Sequence, residues 1–67
     1  MTLKEMRMSA GLTQGELAKR LGVALATINR WEQGQNIPHA KYIKSLAREL
    51  NASPTAVVKE LYSRAGE

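Results

Sequence analysis

Residues 14–33 read QGELAKRLGVALATINRWEQ, and they hold two short apolar patterns of helical period that meet at Gly22. Thr13 precedes the first pattern, and Glu16 stands three residues after it. This is the spacing of a capping box, in which each side chain satisfies a backbone N–H left over at a helix start. Leu12 and Leu17 flank the cap as a hydrophobic staple does. Gly22 falls where the chain needs a left-handed residue, in a turn expected to be too tight for anything larger. Ala18 is small where a second helix must cross, and Ile28 projects into the shared interior. Met together, these constraints outline a helix-turn-helix over 14–33.

The same reading extends outward. Thr2 and Glu5 form a second capping box, so a helix is expected over 3–10, ended by Gly11, with Leu3, Met6 and Ala10 on one face. The motif's own helices are expected over 14–21, burying Leu17, Ala18 and Leu21, and over 25–33, burying Ile28 and Trp31. Lys19 and Arg20 are left in solvent or toward phosphate. Leu25, Ala26, Asn29 and Arg30 share the face of the third helix opposite its buried side. Pro38 permits a fourth helix over 39–50, with Ile43, Leu46, Ala47 and Leu50 at helical spacing. Asn51 is expected to end it left-handed. Ser53 and Pro54 are a cap and a first-turn proline, so a fifth helix is expected over 54–64, with a frayed tail at 65–67. The expected fold is all-α, a five-helix bundle in one domain spanning 1–67.

Composition narrows the chemistry. With 67 residues and no cysteine, neither a disulfide framework nor a thiolate zinc site is available. The longest apolar run, residues 23–26, is too short for a signal peptide's core or a membrane span, so a cytoplasmic protein is expected. There is no Asp and one His, which leaves neither a metal-binding carboxylate cluster nor a nucleophile with its base. No enzyme activity, metal, cofactor or small-molecule ligand is therefore expected. Lys and Arg outnumber the acidic residues ten to six, for a formal net charge of +4 and a pI near 9.9, a balance that attracts a polyanion.

On GLTQ (11–14), LAKRLGV (17–23) and INRWEQG (28–34) in this order and spacing, the chain resembles the Cro and lambda-type repressor family of helix-turn-helix domains, often called XRE-like. With the opening helix, the proline-led fourth helix and SPTAVV (53–58), the resemblance covers about residues 3 to 62. It implies binding to double-stranded DNA, with the third helix in the major groove. In that family the positions of Thr13 and Gln14 at the start of helix two contact phosphate, and those of Gln33 and Gly34 after helix three donate backbone N–H groups to the same strand. The start of helix four touches phosphate too, here His39, Lys41 and Lys44. Arg7 and Glu32 match a structural ion pair whose breaking costs roughly 3 to 5 kcal/mol when fully buried. Members commonly bind as homodimers, and Val57, Val58, Leu61 and Tyr62 offer apolar surface for such a contact. The chain departs from many members in carrying neutral Gln35 and Asn36 in its GQNIP loop, which lowers the expected affinity.

Base reading is expected from Leu25, Ala26, Asn29 and Arg30. Leu25 and Ala26 carry no hydrogen-bonding group and suit only the C5-methyl of thymine, whereas Arg30 can bind guanine bidentately and Asn29 either reads adenine or touches the backbone. Trp31 is spaced to point inward and is read as core. The expected function is a transcriptional regulator, a small repressor on a partly symmetric operator. Two other readings compete with it: an antitoxin or restriction-controller type autoregulator, and an interaction module without DNA binding.

Overall fold

Thr2 and Thr13 build both halves of their capping boxes. The Thr2 hydroxyl accepts the Glu5 N–H at 3.1 Å and the Glu5 carboxylate accepts the Thr2 N–H at 2.8 Å. The corresponding distances at Thr13 and Glu16 are 3.0 and 2.9 Å. Bonds to the backbone N–H groups of Thr2 and Thr13 hold the Glu5 and Glu16 carboxyls below their ordinary values. Both boxes therefore contribute above the ordinary carboxylate range and are lost as the pH falls through the lowered values.

The computed structural model describes residues 2–65, with side chains described for 2–62. Its helices are α1 (Leu3–Ser9), α2 (Gln14–Leu21), α3 (Leu25–Gln33), α4 (Ile43–Glu49) and α5 (Pro54–Ala65), with a 3-10 turn at Ala40–Tyr42 before α4. Among the described residues there is no strand, and no helix is long and apolar enough to cross a membrane. Each helix contributes one wholly buried side chain: Leu3, Leu17, Ile28, Leu46 and Val57 in turn, all 0% exposed. Around them pack Leu12, Ala18, Trp31, Ala47, Leu50 and Leu61. Burying each larger apolar side chain is worth about 1.5–3 kcal/mol, offset mainly by lost chain entropy. Trp31 lies inside, its ring tilted 52° against Tyr42 with centroids 5.5 Å apart.

Several expected features shift. Helix α1 stops at Ser9, with Ala10 as its cap and Gly11 left-handed at φ +77°. Leu21 is half-buried rather than buried. The expected fourth helix over 39–50 divides, and only 43–49 is α-helical. Its entry is closed instead by Tyr42 N–H donating to the His39 carbonyl at 2.9 Å, the shorter reach of a 3-10 turn. Asn51 is left-handed at φ 54° as expected. The Ser53 hydroxyl accepts the Ala56 N–H, and α5 includes Ala65, the first residue of the expected frayed tail. Residues 66 and 67 lie outside the described residues.

Helix α5 also divides the expected dimer surface. Val57 and Leu61 belong to the protein's own core at 0% and 5% exposure, because their helical phase turns them toward α4 and α1. They are not available for a partner, and of that group Val58 and Tyr62 remain exposed.

Candidate nucleic-acid interface

Helices α2 and α3 are joined through Gly22, whose φ of 72° lies in the left-handed region that few residues besides glycine and asparagine adopt readily. A side chain there would meet nothing within 4 Å, so the expectation of a crowded turn is corrected. The glycine is favoured by backbone conformation and not by lack of space. The Gly22 and Val23 N–H groups close α2 onto the Lys19 and Ala18 carbonyls. Buried Ala18 then lets α3 pack closely, with Ile28 and Trp31 inward.

That packing fixes which side of α3 faces out. Leu25 is 54% exposed, and Ala26 and Arg30 are exposed beside it, while Asn29 is half-buried. Neither ion pair among the described residues engages Arg30. At nine residues α3 is about 13 Å long, enough to cover roughly four base-pair steps. Its N-cap is Ala24, which makes no side-chain cap bond. Ala24→Ser is therefore expected to stabilise the protein by about 0.5–1 kcal/mol, read as a higher urea midpoint at unchanged slope. An unchanged midpoint would mean that Ala24 forgoes no cap.

The flanking residues separate by which of their donors are still available. Thr13 has its N–H and hydroxyl oxygen engaged by Glu16, which leaves the hydroxyl hydrogen for an anion. Gln14 donates a side-chain N–H to Glu32 Oε1 at 3.0 Å and is half-buried. The backbone N–H groups of Gln14 and Gly15, in the first turn of α2, have no acceptor within the helix. Gly15 was not anticipated from the sequence, although its lack of a side chain at a helix start is the signal that could have found it: an anion can approach closely there.

At the other end of the motif the expected backbone donor is spent. Gly34, left-handed at φ 76°, gives its N–H to the Arg30 and Trp31 carbonyls as the cap of α3, and the Gln35 N–H also closes on Arg30. What remains near it is the amide of exposed Gln33, whose oxygen accepts from Gln35 Nε2 at 2.8 Å. His39 uses Nδ1 to accept the Lys41 N–H at 3.1 Å, so the neutral ring carries its proton on Nε2. Exposed Lys41 holds its ammonium 5.2 Å from the Tyr42 ring centroid. Lys44 is exposed, whereas Arg20 reaches across to Glu49 at 3.0 Å and ties α2 to α4.

Beneath this surface, Arg7 and Glu32 pair as expected. Arg7 Nε donates to Glu32 Oε2 at 2.6 Å and Nη2 to Oε1 at 3.3 Å, while Nη1 donates to the Leu12 carbonyl at 2.8 Å. The two side chains are 9% and 5% exposed. With the Gln14 bond, Glu32 joins α1, the entry to α2 and the last turn of α3. One carboxylate thus sets the positions of both helices of the motif.

A profile of the helix-turn-helix family matches residues 3–57. Two proteins of Archaeoglobus fulgidus, each called an uncharacterized HTH-type transcriptional regulator, are similar to this chain. One is 44% identical over 50 residues, covering 75% of this chain and 70% of the relative. The other is 40% identical over 50 residues, covering 75% and 71%. No solved structure matched.

Proposed function

The chain belongs to the helix-turn-helix family, and from that premise we propose that it is a sequence-specific regulator of transcription that binds double-stranded DNA. The observation that carries this reading is the outward face of α3. A guanidinium at Arg30 and an apolar turn at Leu25 and Ala26 stand exposed on a helix whose other side is locked into the core. A formal charge of +4 and relatives named as transcriptional regulators support the same reading.

In this mechanism the chain acts as one domain. Helix α2 lies across the sugar-phosphate backbone, with the hydroxyl of Thr13 and the first-turn N–H groups of α2 toward phosphate. Gln33, His39 and Lys41 supply contacts along the flanks. Helix α3 enters the major groove, where Arg30 and Asn29 meet base edges. Two copies, joined through the exposed Val58 and Tyr62 of α5, reach half-sites about 34–36 Å apart. Repression results where such an operator overlaps a promoter, because the bound dimer excludes polymerase. The exposed apolar pair at Leu25 and Ala26 also favours a second reading, an interaction module whose groove face receives a protein.

Selection of bound duplexes from a random pool tests the proposal. Enrichment of a partly symmetric motif, with half-sites of about four or five base pairs centred one helical turn apart, is the expected result. Enrichment of no motif would remove sequence-specific recognition, and a single unsymmetric motif would remove the dimer.

A further inference from the structure

We infer that the leading turn of α3 reads the C5-methyl group of thymine, which makes DNA recognition by this chain dependent on pyrimidine methylation; the inference rests on the DNA-binding reading above. Ala24, Leu25 and Ala26 are consecutive, exposed and without a hydrogen-bonding side-chain group. Leu25, at 54% exposure, is the one large exposed apolar side chain on α3. Polar side chains begin only with Thr27 and Asn29, both half-buried, and with exposed Arg30.

An apolar turn pressed against base edges discriminates in two ways. It gains by covering apolar surface, and in the major groove only the C5-methyl supplies that. It loses by desolvating a donor or acceptor without replacing its bond, a cost that thymine, cytosine and 5-methylcytosine all carry but that only a C5-methyl offsets. Leu25 carries nothing that tells thymine O4 from the amino group of cytosine. At its position 5-methylcytosine therefore stands in for thymine, and cytosine methylation strengthens binding. Leu25 precedes Arg30 by five residues, about 7.5 Å along the helix or roughly two base-pair steps. The methyl it reads therefore lies two or three base pairs from the guanine met by Arg30.

The test uses the duplex enriched from a random pool, with each thymine replaced singly by deoxyuridine, which keeps the pairing and removes the methyl. Removing one covered methyl is expected to weaken binding about fourfold at one or two thymines per half-site. The exposed Leu25→Ser variant, checked by its melting curve, should lose that sensitivity. At the same position 5-methylcytosine paired with guanine should bind clearly better than cytosine with guanine. Uniform tolerance of deoxyuridine with salt-dependent duplex binding retained would overturn methyl reading and leave the DNA-binding reading standing, as would 5-methylcytosine binding no better than cytosine. Failure to hold any duplex at low salt would overturn both.

Discussion

Glu32→Ala is expected to destabilise the protein by about 3–5 kcal/mol, because it leaves the Arg7 guanidinium buried with its carboxylate removed. Arg7 would keep its bond to the Leu12 carbonyl but not the partner that neutralises it. A domain of this size has a total stability of only about 3–10 kcal/mol, at roughly 0.05–0.15 kcal/mol per residue. The variant should therefore melt about 12 °C or more lower, at about 4–8 °C per kcal/mol, or fail to fold near room temperature. Glu49→Ala provides the contrast. It breaks the Arg20 pair, whose side chains are 54% and 23% exposed, and surface pairs are worth about 0–1 kcal/mol.

Replacing both buried partners, as Arg7→Met with Glu32→Leu, should recover part of the stability, since an apolar pair carries no stranded charge. The Leu12 carbonyl would still lack its donor. Equal, small effects of Glu32→Ala and Glu49→Ala would show that the Arg7 pair does not hold the motif together. Absence of the Gln14 bond adds a second readout, because the start of α2 would no longer be fixed to the end of α3.

Arg30→Ala should leave stability nearly unchanged and cost about 1–3 kcal/mol of binding on the best operator, the worth of a bidentate contact to guanine. The side chain is exposed, so its removal opens no cavity and strands no ion-pair partner among the described residues. Its signature is selective: preference at one guanine per half-site should relax while other positions keep theirs. Lys41→Ala should instead weaken all duplexes alike and flatten the salt dependence by about one unit of slope for each phosphate it ceases to neutralise. If Arg30→Ala weakens every duplex equally, Arg30 touches phosphate and specificity lies elsewhere on α3.

The features legible in the sequence are those decided within one turn of chain. The caps at Thr2, Thr13 and Ser53, the left-handed Gly22 and Asn51 and the inward phase of Ile28 and Trp31 depend on neighbours three or four residues away. All of these stand in the structure. The Arg7–Glu32 pair spans 25 positions and is legible only through family resemblance. The bond from Gln14 to the same carboxylate, 18 positions away, is not legible at all.

A start signal also fails where two structures share it. Pro38 opens the expected fourth helix at residue 39, whereas its apolar pattern begins only at Ile43, where α4 starts; a proline suits a first helical turn of either the 3-10 or the α kind. The apolar side of α5 is visible in the sequence, but its division between core at Val57 and Leu61 and surface at Val58 and Tyr62 depends on how far α1 and α4 cover it. The engaged N–H of Gly34 could have been foreseen. A left-handed glycine closing a helix donates to the carbonyls of its last turn, which removes it as a phosphate donor.

The most direct measurement of whether this surface binds duplex DNA is the salt dependence of its affinity. Titrated from about 50 to 200 mM salt on the selected operator, a dimer that contacts about five phosphates should show log K falling against log salt with a slope near −4 to −5. A slope near zero, or a complex indifferent to salt, would contradict a phosphate-bound major-groove reader and leave the exposed face of α3 to a protein partner.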